Sequence, residues 1–228
     1  MSEFGLPRAE CPEQVGLSSA RLERLSAAIH ADVARRLIPG AVLAIARQGR
    51  LAYAEAFGWR DREAAAPMTA DAIFRIASMT KPITSVAAMM LAEEGRLEIA
   101  APVAQYLPEF RDLTVGTERR KAQRAMTVQD LMRHTSGLTY AQFGDTPVQM
   151  IWRDTKLMDE DQTNAELVAK LAGLPLMFEP GTTWEYSMST DVLGRVVEIV
   201  SGESLAEFFA DHIFRPLEIG RASCRERV

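Results

Sequence analysis

The strongest constraint in this chain is Ser78-Met79-Thr80-Lys81, set in the run Phe74-Arg75-Ile76-Ala77-Ser78-Met79-Thr80-Lys81-Pro82 at the head of an apolar segment. A serine three residues before a lysine puts both side chains on one helical face, about one turn apart. A serine hydroxyl is a poor nucleophile until a neighbouring base takes its proton. An amine becomes such a base when partial desolvation and the positive end of a helix disfavour its charged form. The same helix start presents free backbone N–H groups to a developing oxyanion. Nucleophile, base and part of an oxyanion hole thus fit into one turn. The spacing alone arises roughly once by chance in a chain of this length, so its surroundings decide. Ile83 to Leu91 reads as a mainly apolar helix with small Ala87 and Ala88, and the approach to Ser78 is charged only at Arg75. That predicts a serine at a buried helix start rather than a surface N-cap.

Tyr186 is the second piece, in Phe178-Glu179-Pro180-Gly181-Thr182-Thr183-Trp184-Glu185-Tyr186-Ser187-Met188-Ser189. Pro180-Gly181 marks a turn. A helix follows, with Val192, Leu193, Val196, Val197 and Val200 on an apolar stripe. Tyr186 therefore lies just before a helix, where a side chain can enter a cleft. A phenol beside a lysine ammonium ionises more readily and can pass protons to and from a serine. The alternative is a tyrosine that packs its ring in the core and bonds its hydroxyl.

The remaining elements are readable in outline. Ser18 or Ser19 caps a helix to about Leu37, with Leu22, Leu25, Ile29 and Val33 on one face, and Pro39-Gly40 ends it. Ala41 to Arg47 and Leu51 to Phe57 read as strands joined at Gln48-Gly49. The Ser78 helix ends near Gly95. Short helices are expected at Leu131 to His134, Val148 to Arg153 and Asn164 to Leu171, then near Asp191 to Val200 and Leu205 to Phe214. Thr127-Val-Gln-Asp resembles a capping box, and His134 reads as a structural residue beside the turn at Gly137.

Composition narrows the function classes. The net charge of −5 over 228 residues gives no basic footprint for nucleic acid. No apolar run is long enough to span a bilayer, so no membrane partner is expected. The start carries no basic end followed by an apolar segment, which predicts a cytoplasmic protein. His30, His134 and His212 have no metal-ligand spacing, and no metal or other cofactor is expected. The two cysteines, Cys11 and Cys224, lie near opposite ends with nothing to suggest an oxidising compartment. No Gly-x-Ser-x-Gly elbow occurs, so an α/β-hydrolase site is unsupported.

With Leu131-Met132-Arg133-His134-Thr135-Ser136-Gly137-Leu138 added to the Ser78 and Tyr186 stretches, the chain resembles the serine β-lactamase-related family, which includes class C β-lactamases, D-amino-acid carboxypeptidases and family VIII carboxylesterases. Glu94-Gly95-Arg96-Leu97 and Val103 to Phe110 also fit, and the resemblance spans roughly Gly16 to Leu217. It implies an α+β fold, an antiparallel sheet flanked by helices plus a helical region. It also implies that Ser78 is the acylated nucleophile, Lys81 its base or proton shuttle, and Tyr186 the partner base. The β-lactamases carry an asparagine two residues after the tyrosine, where this chain has Met188. Methionine offers no amide hydrogen bonds. That departure, and Tyr140 in Leu138-Thr139-Tyr140, favour the esterases; the resemblance gives Tyr140 a substrate contact, the alternative being a loop aromatic packed on Phe143. The expected substrate is a small-molecule carboxylic ester. The alternatives are a β-lactam or D-amino-acid peptide cleaved by the same residues, an acyltransferase, or a non-catalytic penicillin-binding relative.

The segment Ile219 to Val228 has no apolar periodicity and is dense in arginine. It resembles the in-frame translation of a sequencing adapter beginning inside codon 218. The expectation is therefore a β-lactamase-related domain over 1–217, N-terminal part of the full domain, and an adventitious tail over 218–228. The resembling family carries a third motif, on a later strand that supplies a second oxyanion N–H, so the C-terminal strands are expected to be missing here. Loss of one such donor costs on the order of 3 kcal/mol in other hydrolases.

Overall fold

The structure is a computed structural model that describes residues 4–159 and 161–219. Most of the expected tail, with Cys224, lies outside the described residues. The chain divides into two compact units between Phe74 and Arg75.

The first unit is α+β in miniature. Helix α1, Ser19–Ala34, buries Leu22 and half-buries Ile29 and Val33, but Leu25 of the expected stripe is exposed. It stops three residues earlier than Pro39-Gly40 suggests. Arg36 turns left-handed (φ 60°), its N–H meets the Val33 carbonyl, and the Leu37 N–H meets that of Asp32. This is a Schellman closure, here built without glycine. Strands β1, Gly40–Arg47, and β2, Arg50–Asp61, form the expected antiparallel hairpin, running from Gly40 opposite Gly58 to Arg47 opposite Arg50 with a one-residue register shift between Ile45 and Ala46. Gln48 and Gly49 both have positive φ, 54° and 71°, as a two-residue turn matched to strand twist requires. A third strand, β3, Ala66–Pro67, adds to the end of β2. Two residues, one of them proline, carry no alternation that would announce a strand.

The second unit is helical. Helix α2, Thr80–Glu93, turns Thr80, Thr84, Ala87, Ala88 and Leu91 inward, while Val86 and Met89 on its other side are exposed. Helices α3, Val128–Met132, α4, Pro147–Arg153, and α5, Asn164–Ala172, follow. Each begins with a threonine whose hydroxyl accepts the N–H three residues on while that residue's side chain returns to the threonine N–H: Thr127 with Asp130, Thr146 with Gln149, Thr163 with Glu166. Between α2 and α3 a two-stranded ladder, β4 Thr114–Val115 with β5 Arg120–Lys121, was not expected. Helix α6, Ser189–Ser201, is the pillar of this unit. It packs on α2, α3, α5 and the short α7, Leu205–Phe208. Val192, Leu193, Val196 and Val197 are fully buried, alongside Leu131, Trp152, Leu167 and Leu176. The expected last helix is thus α7 followed by a wider π-helical turn over Phe209–Phe214. It still buries the expected stripe of Leu205, Phe208, Phe209 and Ile213.

No helix among the described residues is long and apolar enough to cross a membrane. Cys11 is a free, exposed thiol.

Candidate active site

Ser78 stands on a 3-10 turn, Ala77–Met79, that leads into α2. The expectation of a buried serine is wrong. Ser78 is exposed, as are Phe74 and Met79 on either side. The inward stripe of α2 begins only at Thr80, so the turn before it falls outside the core despite its apolar composition. The turn opens from Ala77 at φ 46°, a left-handed conformation unusual for a residue with a Cβ.

Three further groups converge on the serine. The Tyr186 hydroxyl donates to Ser78 Oγ at 2.6 Å, and Lys81 Nζ reaches the same oxygen at 3.4 Å. Lys81 Nζ also lies 3.4 Å from the Tyr140 hydroxyl. Its ammonium sits 4.9 Å from the centre of the Tyr186 ring and 5.9 Å from that of Tyr140, within the reach of cation–π attraction. The four residues singled out in the sequence are therefore neighbours. Tyr140 meets Lys81 and packs edge-on against Phe143, ring centres 5.2 Å apart, the latter being the packing the sequence offered as its alternative role.

Tyr186 is aimed by the segment 134–137, which runs beside the chain that carries it. The Met177 N–H bonds to the Gly137 carbonyl (2.7 Å), Gly181 N–H to that of Thr135 (2.6 Å) and Glu185 N–H to that of His134 (2.8 Å). Gly137 has φ 84°, and a Cβ there would stand 2.2 Å from the Phe178 carbonyl oxygen. Only glycine permits this approach. Three fully buried hydroxyls continue the contact: Ser189 Oγ lies 2.7 Å from both Ser136 Oγ and Ser187 Oγ. Asp130 anchors the start of the segment, accepting from Arg124 (2.8 Å) and from the Thr135 hydroxyl (3.0 Å). Burial alone would raise its carboxyl, but these donors, with the N–H and hydroxyl of Thr127, hold it below the usual carboxylate range.

His134 has a larger place in the site than the sequence suggested. Its ring lies 5.0 Å from that of Tyr186 and its Nδ1 accepts the Ser187 N–H at 3.3 Å. Burial pushes the imidazole below its ordinary value, and the Lys81 charge pushes the same way. The other two histidines pair on the surface, His30 with Glu55 and His212 with Glu203. Trp184, given no role by the sequence, and Phe143, expected only as a packing partner of Tyr140, are each about two-thirds exposed, and their rings lie beside His134 and Tyr186 respectively. For Trp184 a signal was available, since it stands two residues before Tyr186. Met188 caps α6 and lines a cavity of about 640 Å³ with Ala141, Trp152 and Leu157. Among the described residues no group of three His, Cys, Asp or Glu is placed to hold a metal ion.

Comparison with known proteins gives a consistent set. The family described as beta-lactamase matches residues 25–225. The esterase EstB of Burkholderia gladioli is 38% identical over 210 residues, covering 90% of this chain and 52% of that protein. A lovastatin esterase of Penicillium rubens is 34% identical over 193 residues, covering 80% of this chain and 48% of the relative. Among solved structures, EstCE1, a hydrolase with promiscuous acyltransferase activity, matches 86% of this chain and 51% of its own at a TM-score of 0.76 and 31% identity. The chain spans about half the length of the curated relatives it matches.

Proposed function

The chain belongs to the beta-lactamase family and has its α+β fold, and on that premise we propose that its protein is a serine hydrolase of small carboxylic esters. The observation that carries the reading is the 2.6 Å bond between Tyr186 and Ser78, with Lys81 beside both. Tyr186 is the nearest proton acceptor. In its reacting form, without the hydroxyl proton it donates to Ser78 at rest, Tyr186 takes the Ser78 proton as Oγ attacks the ester carbonyl carbon. The carbonyl electron pair moves onto oxygen, where the Ser78 backbone N–H meets the charge. Collapse of the adduct breaks the acyl–oxygen bond, and Tyr186 returns the proton to the departing alkoxide. Water then gives a proton to Tyr186, attacks the acyl-enzyme and releases the carboxylic acid, and the proton goes back to Ser78 Oγ. Lys81 Nζ, 3.4 Å from the same oxygen, is the second group placed to move that proton, the role the sequence reading gave it.

Esters are favoured over lactams by Met188, which offers no amide at the position where the β-lactamases carry asparagine. The names of the relatives support the same choice. EstCE1's acyltransferase activity favours a second fate for the acyl group, capture by an added alcohol, which product analysis with methanol would reveal. The decisive test is Ser78→Ala in the full-length gene product. Turnover of a chromogenic short-chain ester should fall by about 10⁴-fold or more. Wild-type turnover in that variant removes the assignment.

A further inference from the structure

We propose that His134 is the positioning residue for Tyr186, clamping the backbone on both sides of it from a single side chain and its own carbonyl. This rests on the reading of Ser78 and Tyr186 above. The residue before Tyr186, Glu185, gives its N–H to the His134 carbonyl at 2.8 Å. The residue after it, Ser187, gives its N–H to His134 Nδ1 at 3.3 Å. Between these two fixings the imidazole lies against the phenol ring, centres 5.0 Å apart. Tyr186 thus has one residue as its brace above, below and behind.

The brace depends on the charge state of the ring. Nδ1 can accept the Ser187 N–H only while it carries no proton, so the working imidazole is neutral with its hydrogen on Nε2. The titratable groups facing it are Lys81 from α2 and Tyr186 itself; Glu185 is engaged by the Thr139 hydroxyl at 2.9 Å, and Asp130 by Arg124. Burial and Lys81 both favour the neutral ring. The sign follows. A histidine whose folded value is depressed contributes stability present in full above the unfolded value near 6.5. That contribution is lost as pH falls from there through the lower folded value. Protonation would turn Nδ1 from an acceptor into a donor, breaking its bond from the Ser187 N–H and leaving it only the Ser187 hydroxyl, 3.3 Å away, in place of the amide.

The left-handed backbone at His134 (φ 55°) dictates the variants, because asparagine and glycine both tolerate it. His134→Asn keeps an acceptor near the position of Nδ1 but cannot titrate. His134→Gly keeps the backbone and loses the acceptor and the ring. In the full-length gene product we expect His134→Gly to lower kcat on the order of 100-fold, the cost of a misplaced catalytic group, with KM changed little. His134→Asn should stay within about 5-fold of wild type on the same scale. As pH falls from about 6.5 it should also keep a larger fraction of its pH 8 activity than the wild type keeps. Two results overturn the inference: equal losses in kcat for both variants, or a normalised acid limb in His134→Asn identical to wild type. The second measurement stands even where His134→Gly fails to fold. Ser78→Ala run alongside separates the two readings. Turnover in that variant removes the nucleophile assignment, whereas an inactive Ser78→Ala with equal His134 variants removes only the brace.

Discussion

The two sides of the Ser78–Tyr186 bond are built very differently. Ser78 sits on an exposed three-residue turn, outside the inward stripe of α2, entered through a left-handed Ala77. Tyr186 sits on a segment strapped to residues 134–137 by three backbone bonds and continued by fully buried hydroxyls into α6. Loops that carry function are normally held by a rigid scaffold. Here the scaffold is spent on the proton-handling side. The serine needs only to reach the phenol, since attack on a substrate requires that it remain accessible.

If that division is right, the largest loss comes from the tyrosine hydroxyl itself. Tyr186→Phe keeps the ring contacts with His134, Tyr140 and Phe143 and removes only the bond to Ser78. In the full-length gene product kcat should fall by about 10³-fold, within the usual range for a general acid–base group. The unfolding free energy should change by no more than about 1 kcal/mol, the worth of one hydrogen bond. A kcat within about 5-fold of wild type would transfer the proton work to Lys81.

The next effect tests the strap. Gly137→Ala must either keep φ 84° with a Cβ 2.2 Å from the Phe178 oxygen or give up the bond from Met177. The expected cost is on the order of 3 kcal/mol in urea unfolding. A loss below about 1 kcal/mol would mean the strap adapts, and the contrast between the two sides would shrink.

Much of this contrast was invisible in the sequence, for local reasons. The Gln48-Gly49 hairpin, the α6 stripe and the Thr127 box were legible because each is encoded within a few consecutive residues. Ser78, Lys81, Tyr140 and Tyr186 could be named as candidates, and the fold brings them together, but the brace at His134 joins positions 53 residues apart. No periodicity records such a contact. The early stop of α1 was hidden because arginine, not glycine, takes the left-handed position. The dipeptide strands β3, β4 and β5 are too short to alternate. The burial of Ser78 was misjudged because apolar neighbours were read as core, whereas Met79 and Phe74 face outward. Apolar composition marks where burial is possible, and only the phase of the helix that follows decides which residues receive it.

That leaves the serine side, where the smallest effect is the most informative. Ala77 holds φ 46° one residue before the nucleophile. A left-handed conformation costs an L-residue roughly 1–2 kcal/mol, and glycine would relieve it while adding about 0.5–1 kcal/mol of unfolded-state entropy. Ala77→Gly should therefore stabilise the protein by about 1 kcal/mol or less, raising Tm by roughly 2–4 °C per kcal/mol for a chain of this size. Glycine also frees the turn to sample other conformations. On the division drawn above, a looser serine still finds a fixed phenol, so kcat should fall by no more than about 3-fold, against about 10³-fold for Tyr186→Phe. A drop in Tm would show that Ala77 is not strained. A kcat loss approaching that of Tyr186→Phe would show that the exposed turn holds the serine as tightly as the strap holds the tyrosine, and strain at Ala77 would then be the means by which an unburied turn achieves it.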